Sequence, residues 1–326
     1  MSMQLILPKD YVRQATDLIN KAKNRVSLIS MVIADHENTH ELIQALQDAA
    51  KRGVKVSVAA DIFTYGEVNG SFFALRYYSP RSREATAMAK KLKNAGVRFH
   101  WLGHARTTVI NGRTHNKWCV IDSDIFTFGG VNMYQQGVEN IDYMFHLKDE
   151  QLADRLTKEQ HRIQKAERTA TNYPSTSYEL GKDRVLFDGG IVAHSIIYRR
   201  ACELAESAKQ VVFVSQYCPS GKLAKVLKKT SHTLYFNQPE QASLLNRILI
   251  RTNMILTGFK SSYSRTTYLH GKCIVFTMQD GSKVALTGSH NYAYAGVLFG
   301  TREIALETKD PAVITQLESF IAAHVA

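Results

Sequence analysis

The chain repeats itself, and that repetition limits its fold more than any other feature. In the first half, residues 15–30 read ATDLINKAKNRVSLIS; in the second, residues 200–216 read RACELAESAKQVVFVSQ. Superposing Leu18 on Leu204 places Ala22-Lys23 over Ala208-Lys209. In both copies apolar residues at helical spacing run through Ala-Lys into a short β-rich stretch, 26–29 or 211–214. A helix-then-strand unit made twice predicts a duplicated α/β architecture. The first half continues with a helix predicted over 38–52, ended by Gly53 as its C-terminal cap, and a strand over 54–60. A further helix over 83–94, closed by Ala95-Gly96, leads to a strand over 97–101; in the second half 221–229 is the matching short helix. Strands alternating with helices predict mixed, mostly parallel sheets flanked by helices. Residues 151–168 read as a polar helix, and TATNYPSTSYELG at 169–181 as a linker, which sets a first domain at 1–170 and a second at 171–326. The stretch from Lys23 to His115 is much longer than that from Lys209 to His270, so an insertion is expected around 65–83.

A second element is also doubled. His115-x-Lys117 is followed by Gly129-Gly130-Val131-Asn132, and His270-x-Lys272 by Gly288-Ser289-His290-Asn291. Both pairs fall at predicted strands, 117–121 and 272–277, where residues two apart point to one face. A single histidine on a strand is ordinarily structural. Two of them with matched lysines and asparagines suit displacement at a phosphodiester: one imidazole attacks phosphorus, the other protonates the leaving oxygen, and the Lys and Asn side chains hold the phosphoryl oxygens.

Of the 326 residues, 44% are hydrophobic and 21% charged, the profile of a globular protein with a real core. A net charge of +12 predicts an acidic partner, either an anionic lipid surface or nucleic acid. The start, MSMQLILPKD, lacks the basic and apolar regions of a secretory signal. The longest apolar stretches, such as 26–34, are about half of the roughly 20 residues that span a bilayer. A soluble or peripheral protein is expected, cytoplasmic at the inner membrane face. Cys119, Cys202, Cys218 and Cys273 form no C-x-x-C pair and read as buried thiols. No metal, cofactor or obligate protein partner is expected.

The first copy, THNKWCVIDSDIFTFGGVN, resembles the phospholipase D superfamily signature, H-x-K-x4-D followed by G-G/S-x-N, through His115, Lys117, Asp122, Gly129, Gly130 and Asn132. The second, LHGKCIVFTMQDGSKVALTGSHN, supplies His270, Lys272, Gly288, Ser289 and Asn291, with Thr277 in place of the aspartate and a hairpin turn at 279–282 absorbing extra residues. AAKRGVKVSVAAD, LKNAGVRFHWLG and SQYCPSGKLAKVL are similar to segments of bacterial cardiolipin synthases. The resemblance implies two phospholipase D-like domains packed with pseudo-two-fold symmetry around one active site. It implies a covalent phospho-histidine intermediate, with His115 as nucleophile and His270 as acid, or the reverse. Lys117, Lys272, Asn132 and Asn291 would bind phosphoryl oxygens. Asp142 and Glu303 stand where the family's orienting acids fall, and Asp122 reads as structural; Ser289, Gly130 and His290 are candidate substrate-binding positions, Ser289 adding a hydroxyl donor that its counterpart Gly130 lacks.

Outside the motifs, SFFALRYYSP at 71–80 clusters Phe72, Phe73, Tyr77 and Tyr78, either in the core or against acyl chains. The stretch 243–255 is amphipathic, with Leu244, Leu245, Ile248 and Leu249 on one face and Arg247 and Arg251 nearby; a core-facing helix is the ordinary reading and a membrane-surface helix the sharper one. Lys222, Lys225, Lys228 and Lys229 read as a solvated helix face. The functional expectation is a phosphatidyltransferase that makes cardiolipin from phosphatidylglycerol. A phosphodiesterase acting on lipid or single-stranded nucleic acid is the alternative, and a non-catalytic lipid-binding module a third.

Overall fold

A computed structural model describes residues 2–64, 80–103 and 112–326. Phe72 and Phe73, with the rest of the 71–79 aromatic cluster, lie outside the described residues. Two compact units are present: Met1–Thr127, Val131–Glu139 and Tyr143–Asn172 in the first, and Phe128–Gly130, Asn140–Asp142 and Tyr173–Ala326 in the second.

The first unit is built on strands β1 (Gln4–Ile6), β2 (Arg25–Ser30), β3 (Lys55–Asp61), β4 (Arg98–Leu102), β5 (Trp118–Ile121), β6 (Asp124–Thr127) and β7 (Met144–Lys148), in the order β1-β7-β6-β5-β2-β3-β4. Helix Pro8–Lys21 starts on a proline, whose missing N–H costs nothing in a first turn, and buries Tyr11, Val12, Ala15 and Ile19 along one stripe. Helix His40–Lys51 buries Leu42, Ile43, Leu46 and Ala49 in the same way. Both stripes share a core with Leu28, Val56, Val58 and Cys119 from one face of the sheet. Alternate residues point to the opposite face, where helix Glu150–Arg168 inserts the buried Gln160. Its carboxamide oxygen accepts from Ser27 Oγ at 3.0 Å and Trp118 Nε1 at 3.2 Å, and its nitrogen donates to the carbonyls of Leu28 and Ser57. One amide therefore ties β2, β3 and the start of β5 to the helix, each polar group satisfied where water cannot reach it.

The second unit has β8 (Thr176–Leu180), β9 (Asp183–Phe187), β10 (Ala208–Val214), β11 (Ser231–Tyr235), β12 (Cys273–Met278), β13 (Lys283–Gly288) and β14 (Ile304–Thr308), ordered β11-β10-β12-β13-β14-β9-β8. Laid beside the first sheet, six strands correspond in place and direction: β1 to β9, β7 to β14, β6 to β13, β5 to β12, β2 to β10 and β3 to β11. The first sheet adds β4 at one edge and the second adds β8 at the other. Duplication is thus written in the strand order, and the mixed α/β architecture with flanking helices is as expected.

The expected predominance of parallel pairing is corrected. Among the described residues only β2–β3, β3–β4 and β10–β11 pair in parallel; the remaining neighbours run antiparallel. The physical reason is connection length: β5 and β6 are separated by two residues, and β12 and β13 by a tight turn, whereas a parallel pair needs a crossover of about a dozen residues or more. Two local readings change as well. The strands open at Trp118 and Cys273, so each His-x-Lys forms the extended lead into a strand and does not lie on it. Within the expected linker, Thr176–Leu180 is a strand, and the units divide at Asn172/Tyr173.

Candidate active site

In the first unit His115 is buried and Lys117 fully so. The Lys117 ammonium turns back to donate to the His115 carbonyl at 2.9 Å, which fixes the backbone from which the imidazole projects. Asn132 is also buried; its carbonyl oxygen accepts from Val32 N–H at 3.3 Å and Ser30 Oγ at 3.4 Å. Two residues before His115, Arg113 forms a buried ion pair with Asp61 at the end of β3 and lies over the Phe63 ring at 5.9 Å. Burial raises the Asp61 carboxyl to about 6 against the opposing pull of Arg113. Sequence reading missed this pair, although an Asp closing a strand and an Arg beside a motif were both visible.

The second unit contains a cluster built around His270. Asp142 is fully buried, and its Oδ2 lies 2.6 Å from His270 Nδ1; its Oδ1 accepts the Gly130 N–H at 3.2 Å. The partnership crosses the order of the sequence: an acid placed after the first motif holds the histidine of the second. Backbone pairing sets it up, because Ile141 bridges Leu269, with Ile141 N–H donating to Tyr268 O and the His270 and Gly271 N–H groups donating to Ile141 O. Lys272 is buried and donates to the His270 carbonyl, repeating the arrangement at Lys117. Desolvation pushes its pKa down to about 8, and the carboxylates of Asp142 and Glu303 partly restore it. Gly130 is required here, since a Cβ on it would stand 2.7 Å from Asp142 Oδ2 and 2.9 Å from Lys272 Nζ.

Glu303 is buried and accepts from Ser289 Oγ at 2.5 Å; Ser289 Oγ in turn accepts the Ile304 N–H at 3.0 Å. The hydroxyl is therefore engaged within the protein. His290 Nδ1 accepts the N–H of Tyr292, whose φ of +52° is left-handed, so this imidazole secures the turn after Asn291. Asn291 Oδ1 is buried without a hydrogen-bond donor. Next to Glu303, Asp188 caps helix Ile196–Ser207 through Ser195 Oγ and the Ile196 N–H, and burial raises it to about 7. Sequence reading missed Asp188. Among the described residues, no cluster of three or more His, Cys, Asp or Glu is placed to hold a metal ion, and no helix is long and apolar enough to cross a membrane.

Residues 15–164 match the family described as "Cardiolipin synthase, PLD-like domain". That segment, just under half of the chain, therefore carries a phospholipase D-like domain. Among solved structures, the fold is similar to phosphatidylserine synthase of Haemophilus influenzae Rd KW20, at 14% identity and TM-score 0.73, over 99% of this chain and 86% of the other. It is also similar to polyphosphate kinase of Porphyromonas gingivalis, at 11% identity and TM-score 0.62, over 98% of this chain and 49% of the other. No curated protein matches the sequence. At these identities the likeness is one of fold.

The superfamily motif's aspartate has a structural explanation. Asp122 sits at φ +53° and accepts backbone N–H bonds from Lys23, Asn24 and Arg25, at 2.9, 2.9 and 3.0 Å. The first two N–H groups belong to the loop between helix Pro8–Lys21 and β2, and the third opens β2. In the second copy helix Ile196–Ser207 runs directly into β10 at Ala208, so there is no loop to cap. Thr277, at the motif's aspartate position, is instead a ladder residue paired with Gln210. Loss of the aspartate follows from loss of the loop.

Proposed function

We propose that this protein is a member of the phospholipase D superfamily and a phosphatidyltransferase acting on phospholipid phosphodiesters through a phospho-histidine, with cardiolipin formation from phosphatidylglycerol as its reaction. The observation that carries this reading is the buried Asp142–His270–Lys272 cluster. A carboxylate on one ring nitrogen of His270 fixes the tautomer and favours the imidazolium, so the other nitrogen can deliver and recover a proton. An ammonium in the same low-dielectric setting stabilises charge that builds on phosphoryl oxygens in the transition state.

In the proposed reaction His115 attacks phosphorus. The bond from phosphorus to the leaving alcohol breaks, and that alcohol takes the proton of His270. An acceptor alcohol then gives a proton to His270 and attacks the phospho-histidine, which releases His115. Lys117, Asn132 and Asn291 complete the set of oxygen ligands. The match of residues 15–164 to the cardiolipin synthase domain and the net charge of +12 support an anionic lipid substrate, met at the inner membrane face.

The test is turnover of labelled phosphatidylglycerol vesicles beside single-stranded DNA, with products separated by mass. Cardiolipin plus glycerol is the expected outcome, and a His115→Ala or His270→Ala chain should form none. Cleavage of DNA with no lipid turnover would replace this reading with that of a nuclease. A His115→Asn chain that still accumulates phosphorylated protein would reverse the two histidine roles.

A further inference from the structure

The helix Leu244–Thr257 shows water a second aliphatic stripe. A surface helix ordinarily buries its aliphatic stripe and shows its polar face to water. Here the inward face is mixed: Ile250 sits in the core with Met254 against it, while beside them Asn246 Oδ1 accepts from Tyr217 Oη at 2.9 Å, Asn253 is buried with Nδ2 3.4 Å from the Cys218 carbonyl, and Thr257 Oγ1 lies 3.6 Å from Cys218 Sγ. Outward stand Leu244, Ile248, Ile255 and Leu256, each between 54% and 74% exposed. At about 100° per residue, Leu244, Ile248 and Ile255 fall within one narrow arc, and Arg251 lies at its border.

We infer that this face seats the protein on an anionic lipid bilayer. Charge complementarity supports that occupant: the helix, LLNRILIRTNMILT, carries two arginines and no carboxylate, and the exposed Lys260 follows it. Aliphatic side chains bordered by guanidinium groups are the pattern of a helix lying in the headgroup plane. A second copy of the chain is a poorer fit. A stable protein interface uses about 20–30 residues a side, far more than this stripe offers.

The helix is also wired to the chemistry. Asn246 holds Tyr217; Gln216 Nε2 donates to Tyr217 Oη at 2.8 Å and to Tyr268 Oη at 2.9 Å, and Tyr268 lies two residues before His270. Asn237 clamps the same segment from behind, through the Gln216 carbonyl and both backbone groups of Leu269. A bilayer under the helix therefore lies under an element fastened to the His270 segment. The inference rests on the lipid-substrate reading, and its test separates the two.

The test uses the full chain carrying Ile248→Gln, Ile255→Gln and Leu256→Gln together, with partition onto phosphatidylglycerol/phosphatidylcholine vesicles measured by co-sedimentation. All three positions face water, so the melting temperature should hold. Partition should weaken about a hundredfold, while turnover of a monomeric short-chain phosphodiester stays at the parent rate. Arg251→Glu should reduce binding to anionic vesicles and leave binding to neutral ones unchanged. Tryptophan emission of Ile255→Trp should shift to the blue on vesicles. Unchanged vesicle partition of the triple variant would overturn the inference. So would a parent chain that ignores vesicles but self-associates through this face. If partition falls while no lipid phosphodiester is ever turned over, the docking face stands and the transferase reading fails.

Discussion

Asp142→Asn is the sharpest perturbation of the proposed chemistry. The side chains are nearly equal in volume, so the loss is chiefly of charge. In the parent, a fully buried carboxylate faces His270 Nδ1 at 2.6 Å. A hydrogen bond to a charged group contributes about 1.5–3 kcal/mol. Attraction between unit charges near 4 Å at an effective dielectric of 20 is about 4 kcal/mol. The two figures overlap, so a joint loss of roughly 3–5 kcal/mol in the transition state is the working value. That corresponds to a fall in kcat of about two to four orders of magnitude. The same change removes one of the two carboxylates that hold up the Lys272 pKa, so the alkaline limb of the remaining activity should move to lower pH. The assay is steady-state turnover of phosphatidylglycerol from pH 6 to 10, with circular dichroism and a thermal melt to confirm folding. A folded Asp142→Asn chain within tenfold of parent kcat would refute the assignment of Asp142 as the positioning acid of His270.

Three further outcomes are expected. Burial depresses Lys272 below its unfolded value of 10.5, to about 8, so the unfolded chain binds the extra proton between those limits and the contribution of this group to stability should rise as pH climbs from about 8 to 10.5. Activity should fall over the same window as the ammonium discharges; thermal melts and kcat profiles that move together would contradict this. Asp122→Ala orphans three backbone donors at a partly exposed loop and should cost about 1–2 kcal/mol of stability, read by urea titration, with kcat unchanged below the transition; loss of activity without loss of stability would return Asp122 to the chemistry. Gly130→Ala places a methyl against Asp142 and Lys272 and should lower kcat more than tenfold, whereas a fully active alanine variant would show the cluster to be more yielding than its contacts imply.

The doubling was legible because each half carries the same helix, Ala-Lys turn and strand, and the His-x-Lys leads and Gly-rich elements fell where that doubling put them. Pairings were less legible. Asp142 follows the first motif in sequence, yet its partner is His270, because the bridge between Ile141 and Leu269 decides which imidazole it meets. The proportion of parallel strands was misjudged because helix-strand alternation at the front of each half was extended to the back, where tight turns at Asp122-Ser123 and 279–282 impose antiparallel hairpins. Periodicity marked 243–255 as amphipathic but cannot say which side faces inward. That was decided by Tyr217 and Cys218, which offer hydrogen bonds to Asn246 and Asn253. The Asp188 cap escaped sequence reading, since burial cannot be read from residue type.

The segments Phe128–Gly130 and Asn140–Asp142 precede the second half in sequence but belong to the second folded unit. Severing the chain between Asn172 and Tyr173 would therefore not yield two independent proteins. The C-terminal fragment would lack the carboxylate on His270 Nδ1 and the acceptor that Phe128 O offers Thr287 Oγ1 at 2.8 Å. The dependence runs one way: the C-terminal copy cannot be transplanted or evolved without carrying pieces of the N-terminal half.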